Sequence, residues 1–159
     1  MQSRSWICPK SMVMQSPMTW NISSLDGWVR VVEHVASRLT DGNILTIQGP
    51  LGAGKTTFVQ ALASELGAVK VPKSPTFSML RTYELSHAQL RRLLHVDAYR
   101  IENEADLLPL DLDEELLIPG TILTMEWPER IPQWLAAHQA HALVIQPTRY
   151  GRKVSFYPA

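Results

Sequence analysis

Asn43-Ile44-Leu45-Thr46-Ile47-Gln48-Gly49-Pro50-Leu51-Gly52-Ala53-Gly54-Lys55-Thr56-Thr57 is the stretch whose reading decides the fold of this chain. Its first six residues alternate little and carry three aliphatic side chains, the mark of a strand covered on both faces. Gly49 to Thr56 then satisfies the pattern G-x-x-x-x-G-K-[ST], and an amphipathic helix from about Gly54 to Leu66 follows, with Phe58, Leu62 and Leu66 on one side. The glycines let the loop take positive φ and turn successive N–H groups towards one concave anion site. The helix adds its free N–H groups and the positive end of its dipole. Lys55 is spaced to reach β- and γ-phosphates, and the Thr56 hydroxyl to ligate Mg²⁺. Strand, loop and helix together predict a nucleoside-triphosphate site.

Such a site needs a carboxylate near the end of a neighbouring strand, because Mg²⁺ takes hard oxygen ligands. Two acids qualify. Glu126 closes Ile122-Leu123-Thr124-Met125, and Asp97 closes Leu93-Leu94-His95-Val96. Trp127-Pro128 reads as the chain's exit from the strand or as core packing. Ser74-Pro75-Thr76-Phe77 follows a basic, proline-bearing stretch, and Pro75 stiffens the loop carrying the Ser74 and Thr76 hydroxyls. By itself that tetrapeptide reads as a turn; in a nucleotide hydrolase such a loop can sense the γ-phosphate.

Working outward, Thr19–Ile22 reads as a short strand. Ser23 or Ser24 is expected to cap a helix whose Leu25, Trp28, Val29, Val32, Val35, Ala36 and Leu39 recur at three- and four-residue steps. Further strands are expected at Phe77–Glu84, Leu93–Ala98, Thr121–Glu126, Ala142–Gln146 and Lys153–Tyr157. Helical stretches are expected around Glu104–Leu108, Leu112–Leu117 and Ile131–Ala137. The interleaving predicts an α/β chain, a three-layer sandwich of the P-loop NTPase type, with a mixed sheet of six or seven strands and helices on both faces. Residues 1–18 lack acids and periodicity, and are expected to be a disordered leader, with Met14 or Met18 as candidate true starts, before a P-loop domain at 19–159.

Composition narrows the function classes. The chain has 159 residues with 15 basic and 15 acidic side chains, so no overall charge draws it to nucleic acid or anionic lipid. The single cysteine, Cys8, excludes an intramolecular disulfide and fits a reducing compartment. No apolar run approaches the ~20 residues of a membrane helix. Pro9 and Lys10 interrupt any signal-peptide core.

Four segments in order carry a resemblance: Leu51-Gly52-Ala53-Gly54-Lys55-Thr56-Thr57, Ser74-Pro75-Thr76-Phe77, His95-Val96-Asp97-Ala98-Tyr99-Arg100 and Glu126-Trp127-Pro128-Glu129. From about Thr19 to Phe156 the chain resembles the TsaE (YjeE) family. These are small bacterial P-loop ATPases needed to make N6-threonylcarbamoyladenosine in transfer RNA. The resemblance implies a Mg²⁺-dependent ATPase with ATP and Mg²⁺ as cofactors. Gly52, Ala53, Gly54, Lys55, Thr56 and Thr57 would wrap the phosphates, with Thr56 and Glu126 at the metal. Asp97 would polarise the attacking water or hold a metal-bound one, and Thr76 would belong to a switch loop. Arg152 would lie against the nucleotide and Ile22 by the adenine.

The implied partners are the TsaD and TsaB proteins, with tRNA met through the complex, in the cytoplasm and away from membranes. Pro50, Ala98 and Asp111 depart from the family pattern; Asp111 replaces a frequent glycine, and Asp tolerates a left-handed backbone. Two other classes share the phosphate loop. A small-molecule kinase would be expected to carry an arginine-rich lid, and the only close arginine clusters are Arg91-Arg92 and Arg149/Arg152. A GTP-dependent switch would carry an N-K-x-D segment, which the sequence lacks.

Overall fold

The computed structural model describes residues 16–70 and 79–159. The expectations for residues 1–15 and for Ser74-Pro75-Thr76-Phe77 lie outside the described residues. In chain order the elements are β1 (Met18–Ile22), α1 (Asp26–Ala36), β2 (Ile44–Gln48), α2 (Lys55–Glu65), β3 (Leu80–Glu84) and β4 (Arg92–Asp97). A 3₁₀ helix (Glu104–Leu110) and α3 (Leu112–Leu116) precede β5 (Thr121–Glu126). A short 3₁₀ turn (Pro128–Arg130), α4 (Pro132–Ala136), β6 (His141–Thr148) and β7 (Gly151–Tyr157) complete the fold.

The strands form one seven-stranded sheet in the order β1-β7-β6-β2-β5-β4-β3. The centre, β6-β2-β5-β4, is parallel. β1, β7 and β3 pair antiparallel at the flanks. This is the mixed sheet expected for a P-loop sandwich. Alternation along the strands divides the core in two. Leu45, Ile47, Leu93, Ile122, Leu143 and Ile145 pack beneath α1 and α2 with Val31, Val35, Phe58 and Leu62. Ile44, Leu94, Val96, Leu123 and Met125 face the other way, onto Ile101, Leu107, Leu112 and Ile131. Full burial of each such aliphatic or aromatic side chain stabilises by roughly 1.5–3 kcal/mol relative to exposure, so both layers are held by the sheet.

Three local expectations need correction. Neither Ser23 nor Ser24 caps α1 with its hydroxyl; the N-cap is Leu25, itself in helical geometry with no side-chain cap bond. Ser24 contributes its carbonyl, which accepts from the Gly27 N–H at 3.2 Å. The turn is set instead by packing: a Cβ on Gly27 would lie 2.7 Å from Ile22 Cγ2, so the helix closes tightly over the end of β1. The helical stretch expected near Glu104–Leu108 is 3₁₀ and runs on to Leu110 through Pro109, a residue that cannot donate to an α-helical ladder. The strand expected over Phe77–Glu84 starts at Leu80, after Met79 at φ 55°. Asp111 does take the left-handed backbone, at φ 46° and ψ 41°.

Candidate functional site

The ends of the parallel strands, the loop after β2 and the start of α2 converge on one spot. Gly49 must be small because a Cβ there would sit 2.7 Å from the Ile145 carbonyl oxygen and 3.0 Å from Ala53 Cβ. Gly54, at φ 104°, makes the left-handed step that launches α2. Lys55 follows at the helix start and is only 5% exposed. Its Nζ donates to the carbonyls of Gly49 at 2.7 Å and Pro50 at 3.0 Å, and lies 3.8 Å from the centroid of the Trp127 ring. Burial lowers the Lys55 pKa from its ordinary range, while Glu126, Glu129 and Asp97 raise it in opposition.

Register explains why the two acids meet. β4 and β5 run parallel with His95 opposite Thr124 and Asp97 opposite Glu126. Paired residues share a face, so His95, Asp97, Thr124 and Glu126 all project to the side covered by α2. On each strand that face changes from aliphatic (Leu93, Ile122) to polar towards the C-terminal end, where the phosphate loop lies. The Thr56 hydroxyl donates to Glu126, 2.9 Å from Oε1 and 3.1 Å from Oε2. His95 Nε2 is 2.8 Å from the same Oε1. Glu126 is 2% exposed and His95 not at all.

Asp97 is less buried and accepts a hydrogen bond from the Tyr99 N–H at 3.0 Å. Burial raises its pKa above the usual carboxylate value. The Tyr99 hydrogen bond lowers it, Glu126 raises it further, and His95 and Lys55 lower it. A half-buried carboxylate shifted upwards, next to a fully buried one, is an arrangement suited to taking a proton.

Arg152 reaches the loop from β7: its Nε donates to the Ala53 carbonyl, and a Cβ on Gly54 would lie 3.4 Å from that nitrogen. Ile22 sits opposite Arg152 in the β1–β7 ladder and is 4% exposed, within the core beneath α1. Thr57 is exposed on the first turn of α2. Lys55, Thr56, Asp97, Glu126 and Arg152 are thus brought around one loop, with Ile22 next to Arg152 but below it. Thr76 lies outside the described residues.

Two further residues, Trp127 and His95, belong to this constellation, although sequence motifs alone assign neither a role at the site. Trp127 takes φ 60° and ψ 50° directly after β5, which lays its ring under the Lys55 ammonium and 5.0 Å from the Tyr99 ring. Its sequence signal, an aromatic after a strand-ending acid, read equally well as packing. His95 could have been found from the period of two that puts it on the same face as Asp97.

The donor set suits Mg²⁺ bound along with a nucleotide. Thr56 and Glu126 offer hard oxygens, as that ion prefers, and phosphates and water would complete its shell. Among the described residues no group of three His, Cys, Asp or Glu side chains could hold a metal by itself. No helix among the described residues is long and apolar enough to cross a membrane.

Known proteins share both sequence and fold. The family described as "Threonylcarbamoyl adenosine biosynthesis protein TsaE" matches residues 22–154. A Bacillus subtilis protein named tRNA threonylcarbamoyladenosine biosynthesis protein TsaE is 30% identical over 139 residues, covering 87% of this chain and 84% of its own length. The protein of the same name from Aquifex aeolicus is 37% identical over 112 residues, 69% of this chain and 75% of that one. The crystal structure of Bacillus subtilis YdiB superposes with a TM-score of 0.69 at 25% identity, covering 92% of this chain and 88% of that one. The phosphate loop, the paired strand-end acids and the β7 arginine all fall inside the matched span, and the chain belongs to the TsaE family.

Proposed function

We propose that this protein binds ATP with Mg²⁺ and hydrolyses it in the service of N6-threonylcarbamoyladenosine formation in tRNA. The observation that carries the reading is the Thr56 hydroxyl held 2.9 Å from Glu126 at the mouth of the phosphate loop, with Asp97 opposite Glu126 on the next strand. In this reading the N–H groups of Gly52 to Thr57 and the Lys55 ammonium hold the β- and γ-phosphates. Thr56 and Glu126 hold Mg²⁺, which when bound offsets charge building on the phosphate oxygens. Asp97 aligns the attacking water in line with the bond to the leaving group and takes its proton. Arg152 lies against the nucleotide, Ile22 packs by the adenine, and Thr76 acts in a switch loop. Positioning and charge neutralisation do most of the catalysis in such a site.

The proposed partners are the TsaD and TsaB proteins, with tRNA met through their complex and the whole working in the cytoplasm. The residues before β1, which opens at Met18, act as a leader outside the ATPase domain. The test is phosphate release from ATP by the full chain, alone and with TsaB and TsaD, in parent and Lys55→Ala. Mg²⁺-dependent release to water that Lys55→Ala abolishes is expected. Transfer to an added alcohol or amine would favour a small-molecule kinase, and no turnover with ATP retained would favour a binding switch.

A further inference from the structure

His95 has no part in the phosphate cradle or in the water's activation, yet it is fully buried and spends a polar atom on the site. An ionised carboxylate can only accept hydrogen bonds, so the 2.8 Å contact requires His95 Nε2 to carry the proton. Its Nδ1 has no hydrogen-bond partner among the described residues. An unpartnered lone pair there is tolerable, whereas a second buried N–H without an acceptor would be costly. The ring is therefore a one-sided donor, aimed at Glu126.

The effect on that carboxylate is specific. Oε1 receives both the His95 Nε2–H and the nearer approach of the Thr56 hydroxyl, while among the described residues Oε2 meets only Thr56, at 3.1 Å. Rotation about the last torsion of a glutamate is soft. A donor fixed in the sheet on one oxygen removes that freedom and holds the other beside Thr56. The register that sets His95 opposite Thr124, two residue pairs back from Asp97 and Glu126 and on the same face, gives the ring the reach it needs. Across the strand pair on its other side, the Tyr83 ring lies 6.3 Å from the imidazole and limits its tilt.

We propose that His95 is a positioning residue that clamps Glu126 Oε1, so that Oε2 and the Thr56 hydroxyl are presented together to the nucleotide-bound Mg²⁺. This rests on the reading of Glu126 and Thr56 as the Mg²⁺ pair. The test compares His95→Gln, whose amide nitrogen falls near the position of Nε2, with His95→Asn, which is equally polar but too short to reach Glu126. His95→Leu serves as the apolar control. MgCl₂ is titrated into each full-length protein with a non-hydrolysable ATP analogue, binding is followed by calorimetry, and the analogue alone is measured in chelator.

His95→Asn and His95→Leu are expected to raise the Mg²⁺ needed for half-maximal tightening about 10-fold or more, the scale on which groups that orient metal ligands act. His95→Gln should stay within about threefold of the parent, and all should bind the analogue in chelator about equally. Should His95→Leu fail to fold, the Gln–Asn pair decides alone. Equal Mg²⁺ requirements in His95→Gln and His95→Asn would overturn the proposal, as would a loss of chelator binding that matches the Mg²⁺ effect. A parent protein indifferent to Mg²⁺ would remove the Mg²⁺ pair and this proposal with it. A Mg²⁺-dependent parent with unaffected variants would remove this proposal alone.

Discussion

Exchanging each strand-end acid for its amide should separate two roles. Glu126→Gln keeps shape and one oxygen acceptor, and the new amide N–H can be accommodated. The glutamine oxygen can keep the His95 Nε2–H, and the Thr56 hydroxyl can rotate to accept an amide N–H. A buried charge is removed, so folding should survive with stability changed by no more than about 1–2 kcal/mol. Metal handling should not survive. A neutral amide is a poor ligand for a hard dication, and loss of one ligand or orienting group should raise the Mg²⁺ requirement roughly 10–100-fold, about 1.4–2.8 kcal/mol.

Asp97→Asn presents the opposite case. Asp97 makes no bond to Thr56, and its hydrogen bond from the Tyr99 N–H at 3.0 Å can pass to the asparagine oxygen. Affinity for ATP–Mg²⁺ should therefore stay within about threefold, while the loss of a proton acceptor at the water slows turnover by about 10²–10⁴-fold. The assay pairs a Mg²⁺ titration of nucleotide binding with single-turnover phosphate release, run with and without the TsaB and TsaD proteins. Identical profiles for the two variants would refute the division of labour. Full activity in either would take that residue out of the site.

Lys55→Ala should weaken ATP binding about 10–100-fold, the loss of one charge-assisted hydrogen-bonding group, with little change in melting temperature. Among the described residues its Nζ contacts two loop carbonyls and the Trp127 ring, and unchanged affinity by calorimetry would contradict the phosphate role. A chain starting at Met18, where β1 opens against Phe156, should keep the parent's melting temperature and ATP affinity. A drop of more than a few degrees would show that the preceding residues pack on the domain. Stability should also fall as pH drops from 7 to 5 because burial, followed by Arg38, lowers both His34 and His141 from the ordinary 6.5. A folded-state value below the unfolded one stabilises fully above that ordinary value and is lost as pH falls through the lowered one. His141 Nδ1 accepts the Ala159 N–H at 2.9 Å, so protonation there breaks a bond, and a pH-independent melting temperature would refute this account.

Local chemistry made much of the architecture legible. A buried strand, a glycine loop and a helix start impose their own geometry, and Gly49 to Thr56 specified all three within a few residues. The apolar run closed by Glu126 marked the strand Thr121–Glu126, and the β-rich tail from Ala142 onward read correctly as two strands. Boundaries failed where the deciding force was not local. Ser23 and Ser24 have the chemistry of helix caps, but the tight contact between Ile22 and Gly27 sets the turn. Pro109 did not end its helical stretch, because a 3₁₀ turn needs fewer continuous bonds.

By itself, the sequence determined the phosphate loop and nominated two acids, since a motif's spacing and a strand's end are properties of contiguous residues. Which acid faces Thr56 was decided only by tertiary structure. Parallel pairing of β4 with β5 aligns Asp97 with Glu126, and the position of α2 over that face gives Glu126, not Asp97, the hydroxyl. The same pairing draws His95 into the site from inside a strand that otherwise reads as core. The backbone at Trp127, at φ 60°, turns a side chain that could have been packing into the aromatic face beneath Lys55. These relations join residues distant along the chain, 70 positions apart in the Thr56–Glu126 bond. No local pattern encodes them; sheet order and register do.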